Sequence, residues 1–275
     1  MLTSIPQGNH NRNQVSMTQS EGGAAMCPFI QNRRIIMDSR LNRILQNRDK
    51  MLIGIDDTFQ FNCNQCGKCC MNREDILCTP KDVFRISKKL GISTYDFIKR
   101  YCDSYLGDTS HMPIVRIVPH DAAGHCPLLE NNKCVVHECK PVVCAMYPIG
   151  RTICIDTSVK DPKDMNVKDI EYIFTHPIRC GKTESHTVRE WLTQFNIPIE
   201  DEYFIQWHKT ISILSPLIQK AITKIRVDSM NQILNIIFVK LYMDYDLEQD
   251  FFPQFIANRD MMIKMMNDLP IHGGE

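Results

Sequence analysis

The sequence predicts an α+β protein: an irregular, loop-rich cysteine-cluster domain with short strands, followed by a helical C-terminal region. Three observations carry this. Four cysteines crowd into the run Cys63-Asn64-Gln65-Cys66-Gly67-Lys68-Cys69-Cys70. The stretch from His120 to Cys180 adds Cys126, Cys134, Cys139, Cys144, Cys154 and Cys180 but little helical or alternating apolar pattern. After His186 the apolar residues take up helical spacing.

A chain of 275 residues makes one large domain, or one domain with an appended subdomain. Residues 1–25 are polar and rich in Asn, Gln, Ser and Gly, without the apolar stretch of a secretory signal, and read as a disordered leader. Residues 26–51 form an N-terminal helical segment, with a helix over Arg34–Asn47 carrying Ile36, Leu41, Ile44 and Leu45 on one side. Residues 52–186 make the cysteine-cluster domain and residues 187–275 the helical region packed on it. Met51–Phe61 is expected to be extended. Thr79-Pro80-Lys81-Asp82 starts a helix: Thr79 caps, Pro80 suits the first helical position, and Asp82 favours the positive end of the dipole. Val83, Ile86 and Leu90 mark its buried face, Ser87-Lys88-Lys89 its wet face, and Gly91 its end. Ser93 starts a second short helix that runs to about Cys102. Ile114–Val118 and Thr152–Ile155 read as short strands.

The C-terminal helices are expected at Val188–Phe195, Asp201–Ile222, Ser229–Asp244 and Leu247–Leu269. In the third, Leu234, Ile237, Phe238 and Leu241 share one face. Met261, Met262, Met265 and Met266 form two i,i+4 pairs, which fill an irregular core more readily than they bind a soft metal or a partner. The longest apolar stretch, Ile233–Leu241, is interrupted by Asn235 and Lys240, so no spanning helix is expected. A cytoplasmic location follows. Lys+Arg and Asp+Glu balance at 32 each, leaving no global field for nucleic acid or an anionic membrane.

Cysteine is the anomaly. Thirteen of them, in a chain without export features, make a poor disulfide scaffold because the cytosol keeps thiols reduced. Clustered reduced thiols are metal ligands or redox groups, and thiolates select zinc, iron–sulfur clusters or Cu(I). Burial as a small hydrophobe explains scattered cysteines but not the run from Cys63 to Cys70. The repeated C-x2-C spacing of Cys63, Cys66 and Cys69 is a three-sulfur cradle of the iron–sulfur kind, whereas zinc sites more often separate two such knuckles by a longer loop. Gly67 permits the tight turn between Cys66 and Cys69. Adjacent side chains seldom converge on one ion, so Cys70 is expected to serve a second centre or to bridge. Cys126, Cys134, Cys144 and Cys180 bring the thiol set to eight, enough for two four-cysteine sites such as two [4Fe–4S] clusters, with zinc as the alternative.

The run Cys63-x2-Cys66-Gly67-x-Cys69-Cys70, preceded by Phe59-Gln60-Phe61, resembles the YkgJ-type cysteine-cluster family, described as a zinc- or iron-chelating domain. Thr79–Val83 is similar to that family's first helix. Cys126-Pro127-Leu128-Leu129, Cys134-Val135-Val136-His137-Glu138 and Lys140-Pro141-x2-Cys144-x2-Tyr147-Pro148 match its second half in order, and Cys180-Gly181 with Thr187-Val188 its closing element. The resemblance spans about Phe59 to Trp191. It implies metal or iron–sulfur binding without fixing one reaction; some relatives are flagellin lysine N-methylases. Two departures stand out: the family's arginine before the proline is Lys140 here, which loses the bidentate fork, and Cys139 is an extra cysteine that either substitutes for a ligand or is incidental. Cys27, Cys78, Cys102 and Cys154 match no family position and are read as non-ligands.

His125 and His137 are the histidines nearest the cluster, and each is more commonly structural than a ligand. Asp56-Asp57 reads as a solvated turn rather than a cation site. The chain has no Gly-rich phosphate cradle, G-x-S-x-G or H-E-x-x-H, nor the C-x3-C-x2-C of radical S-adenosylmethionine enzymes. Three functions fit. The first is an iron–sulfur protein of oxidoreductase type with a protein partner or an electron donor or acceptor. The second is a zinc-stapled binding module, and the third a protein lysine N-methylase-like enzyme, for which the sequence offers no cosubstrate pocket. No catalytic residue is identified.

Overall fold

The computed structural model describes residues 47–153, 160–175, 177 and 182–270. The leader 1–25, the helix expected from Arg34 (apart from its last residue), and Cys27, Cys154 and Cys180 lie outside the described residues.

The extension expected over Met51–Phe61 is broken: Met51 ends a helical turn, and residues 54–57 turn between β1 (Leu52–Ile53) and β2 (Thr58–Phe61), where Phe59 and Phe61 point inward and Thr58 and Gln60 outward. After the cysteine run come β3 (Leu77–Cys78), α1 (Pro80–Leu90) and α2 (Thr94–Tyr101). Helix α1 starts with a full capping box between Thr79 and Asp82 and ends at Gly91 in the left-handed conformation, φ 64°. The side chain of Ser93 accepts from the Asp96 N–H and caps α2. Ser87 corrects one expectation: Lys88 and Lys89 face solvent, but Ser87 is wholly buried on the core side of α1.

Strands β4 (Cys102–Leu106) and β5 (Pro113–Ile117) join β3 in an antiparallel sheet with β5 in the middle. A hairpin of β6 (Leu129–Glu130) and β7 (Lys133–Cys134) leads to the short helix α3 (Val142–Met146). Strand β9 (Ile170–Phe174) pairs with β1 on one side and with β8 (Ile149–Ile153) on the other, and β10 (Glu184–Thr187) pairs with β2. Four helices close the chain: α4 (Val188–Gln194), α5 (Glu202–Ile222), α6 (Val227–Tyr242) and α7 (Phe251–Asn267). The last begins four residues later than its apolar pattern suggests, because Gln254 bonds back to Asp246 and Asp250 and holds the preceding residues in a turn. No helix among the described residues is long and apolar enough to cross a membrane.

Two apolar cores hold these pieces. The larger packs Val83, Ile86 and Phe97 of α1 and α2 against Leu214, Ile218, Ile237, Phe238, Leu241, Phe255, Met262 and Met266 of α5–α7. Met262 and Met266 fill that core, while Met261 is exposed. The same core extends through Ile76, Ile117, Leu128 and Val136, so the helices carry the floor beneath the cysteine loops. The smaller core gathers Phe59, Phe61, Met146, Ile149, Tyr172, Val188 and Leu192 around Trp191, whose indole N–H donates to the Met146 carbonyl at 3.1 Å.

Candidate metal centre

The first cysteine loop is shaped by backbone turns. Gln65 (φ 48°) and Gly67 (φ 73°) both take left-handed conformations, and a single 3-10 turn over Lys68–Cys70 follows. A Cβ at Gly67 would meet nothing, so glycine serves the dihedral rather than the space. The turn places the sulfurs of Cys69 and Cys70 3.9 Å apart. At that separation the two thiols can share one ion or bridge two, the second being a role expected of Cys70.

The second loop is laced to the first. Cys126 N–H donates to the Cys70 carbonyl at 2.9 Å, and Asn72 N–H to the Gly124 carbonyl at 2.7 Å. Gly124 is required here: its φ is +77°, and a Cβ would come within 1.9 Å of the Asn72 carboxamide oxygen. Cys134 sits at the end of β7, across the pair from Leu129, and the intervening Asn131-Asn132 loop has φ of 50° and 62°. Left-handed conformation at both central residues makes the type I′ turn that matches strand twist. Cys144 lies one turn into α3, its N–H bonded to the Pro141 carbonyl at 2.8 Å.

Cys63, Cys66, Cys69, Cys70, Cys126, Cys134 and Cys144 all line one cavity, whose empty volume is about 1110 Å³ including its open mouth. Seven of the eight expected thiols thus face a common space; the eighth, Cys180, lies outside the described residues. Cys66 is exposed and the others are partly buried. Ile76, Ile117, Leu128 and Val136 make an apolar wall. Two cations that sequence reasoning did not assign to the site complete it. Lys140 is only 7% exposed, with its ammonium 4.2 Å from the Phe195 ring centre. Arg73 is held by two bonds to Asp75, of 2.5 and 2.9 Å. The only available signal was the Lys140-Pro141 step before Cys144.

The thiols are electrostatically unequal. A hydrogen bond from Cys70, aided by the charges of Lys140 and Arg73, brings Cys69 down to about 6, while donating that bond and being buried push Cys70 up. Burial also raises Cys126, Cys134 and Cys144. Against that, the Leu128 N–H is aimed at the Cys126 sulfur and the Val136 N–H at Cys134, each two residues on, which favours the thiolates. Such amide-to-sulfur bonds also tune metal–thiolate centres. Sulfurs on one tetrahedral zinc stand about 3.8 Å apart, given bonds of about 2.3 Å. Among the described residues, no three His, Cys, Asp or Glu side chains are gathered to hold a single ion.

Of the remaining described candidates, His137 alone reaches the cavity. His125 bonds Asp121 at 2.7 Å, outside the cavity wall. His137 lines it, its basicity lowered by burial and by Lys140. Cys139 is not part of the wall, and Cys78 is buried in the core beside Cys102. Asp56 pairs with Arg189 and Asp57 accepts from the Gly54 N–H, which is a turn and not a cation site.

Residues 62–170 match the model of the CxxCxxCC family, described as a putative zinc- or iron-chelating domain. No curated protein and no solved structure matches the chain.

Proposed function

We propose, from the CxxCxxCC domain that residues 62–170 carry, that this chain holds an iron–sulfur centre and passes electrons through it. The observation that supports this reading best is the convergence of seven thiols and two cations, buried Lys140 and half-buried Arg73, on one cavity. Cys63, Cys66, Cys69, Cys70, Cys126, Cys134 and Cys144 are the ligands available, with Cys180 as the eighth. This set exceeds the four a single zinc ion takes, and the cavity the thiols share has room for a multi-iron cluster. An iron–sulfur cluster bound there supplies reversible one-electron transfer. Lys140 and Arg73 offset the negative charge of the thiolates, and the Leu128 and Val136 amides oppose, without cancelling, the burial that raises Cys126 and Cys134. The apolar wall keeps water from the inner thiols, while Cys66 at the mouth marks where a protein donor or acceptor approaches. All the described cysteines are free, which suits a reducing, cytoplasmic compartment. Because burial raises Cys126, Cys134 and Cys144, metal uptake displaces protons, and binding strengthens as pH rises.

Zinc is the second reading, favoured by the 3.9 Å Cys69–Cys70 separation, which one zinc ion accepts. The deciding measurement is iron, sulfide and zinc content with a visible spectrum, on protein purified without oxygen or added metal. Brown protein with iron and acid-labile sulfide that bleaches on reduction is expected. Colourless protein with stoichiometric zinc would replace the electron-transfer reading with a stapled binding module. Under either metal Cys66→Ser loses metal, and full retention would remove Cys66 from the ligand set.

A further inference from the structure

We infer that Asp82 is a positioning residue for the second half of the thiol set, its carboxylate fixing Cys144 and Lys140 at the cavity wall. The inference rests on reading Cys144 as a ligand. Asp82 is 1% exposed, and its two oxygens do different work. One accepts from the Thr79 N–H at 3.0 Å and the Thr79 hydroxyl at 2.8 Å, which is the ordinary task of a capping-box residue. The other is surplus to capping. It accepts from the Val142 N–H at 3.0 Å and from Arg85 Nη2 at 2.7 Å.

Val142 is the first residue of α3, and that helix has no side-chain cap of its own because Pro141 stands at the capping position. Asp82 therefore caps α3 from another helix. Arg85 Nη2 also donates to the Lys140 carbonyl at 3.2 Å, so one ion pair, its carboxylate buried and its guanidinium partly exposed, grips the backbone on both sides of Pro141. Cys144 follows within a single turn. A partly exposed ion pair adds little net stability. Arg85 Nε is moreover left buried without a partner, so the guanidinium is aimed at the 140–142 backbone at the expense of its own satisfaction. Direction is what the pair supplies.

Three variants separate clamping from capping. Thr79→Ala weakens the α1 cap and keeps the Val142 bond; Asp82→Ala loses both; Arg85→Met keeps the cap and loses the grip on Lys140. Zinc affinity is read by competition with a chromophoric chelator. In metal-free protein, the rate of iodoacetamide alkylation of Cys144 is read relative to Cys126 by mass spectrometry. Asp82→Ala and Arg85→Met should lose 10- to 100-fold in zinc affinity, the usual cost of removing a group that orients a ligand. Both should also raise the Cys144/Cys126 alkylation ratio, with Thr79→Ala near wild type on both counts. If Asp82→Ala and Arg85→Met match Thr79→Ala in affinity and ratio, the clamp is wrong. Arg85→Met decides the matter if Asp82→Ala does not fold. Wild-type protein that takes up no metal would overturn the ligand reading alone, and the alkylation ratio would still decide for or against the clamp.

Discussion

The cysteine cavity and the α5–α7 bundle sit on one continuous core yet are ordered by opposite means. The bundle buries Leu214, Ile218, Ile237, Phe238, Leu241 and Phe255 completely, and area removed from water explains its stability. The cavity walls are loops, two-residue strands and one five-residue helix, shaped by left-handed turns, a few backbone bonds and the Asp82–Arg85 ion pair. They bury polar groups that apolar packing alone would not keep. The contrast teaches that stability and site geometry are separable here: the bundle supplies a floor, and local hydrogen bonds aim the thiols above it.

The strongest way to break that division is to damage the floor. Phe238→Ala removes a fully buried ring and should cost about 3–5 kcal/mol by chemical denaturation. Chelator-resistant metal binding should fall with it, since Leu128 and Val136 share that core. Unchanged metal binding in a destabilised variant would show the cavity to be independent of the bundle. Gly124→Ala sharpens the comparison from the other side. A left-handed alanine costs about 1–2 kcal/mol, and displacing Asn72 loosens the lacing of Cys70 to Cys126. Its metal affinity should fall further, relative to its stability, than that of Phe238→Ala.

The smallest effect concerns His208, on the bundle side. Burial holds its imidazole below the usual histidine range, with its Nδ1 2.8 Å from the Phe204 carbonyl. A proton thus binds the unfolded chain more readily than the folded one. The stability this group contributes is full above about pH 6.5 and declines as pH falls through the lowered native value. His208→Gln should flatten the acid side of the stability profile and leave metal content alone; an unaltered slope would place the titration elsewhere.

Much of the bundle was legible because apolar spacing and caps agree there. Val188–Gln194 and Glu202–Ile222 fall within a residue of expectation, and Thr79, Pro80, Asp82, Gly91 and Ser93 do what their side chains favour. Strands β4, β9 and β10 were not foreseen. Sequences such as Cys102-Asp103-Ser104 and Glu184-Ser185-His186 lack clean alternation and take strand form only because a partner edge is present. In the site, spacing pointed to the thiols that share the cavity. It was silent about Arg73, and it showed Asp82 as a cap but not as a tether, because the bond to Val142 spans 60 residues of sequence.

The lacing of Cys126 to Cys70 also has a meaning for biosynthesis. A growing chain that has just released Cys63 through Cys70 displays four thiols with no opposite wall. That wall arrives with the hairpin and α3, and its floor only when the final helices emerge. The receptive chamber is therefore a late product of translation. On the reading of these thiols as ligands, metal delivered before the last helix has docked meets an open quartet, and the closed chamber belongs to the finished polypeptide.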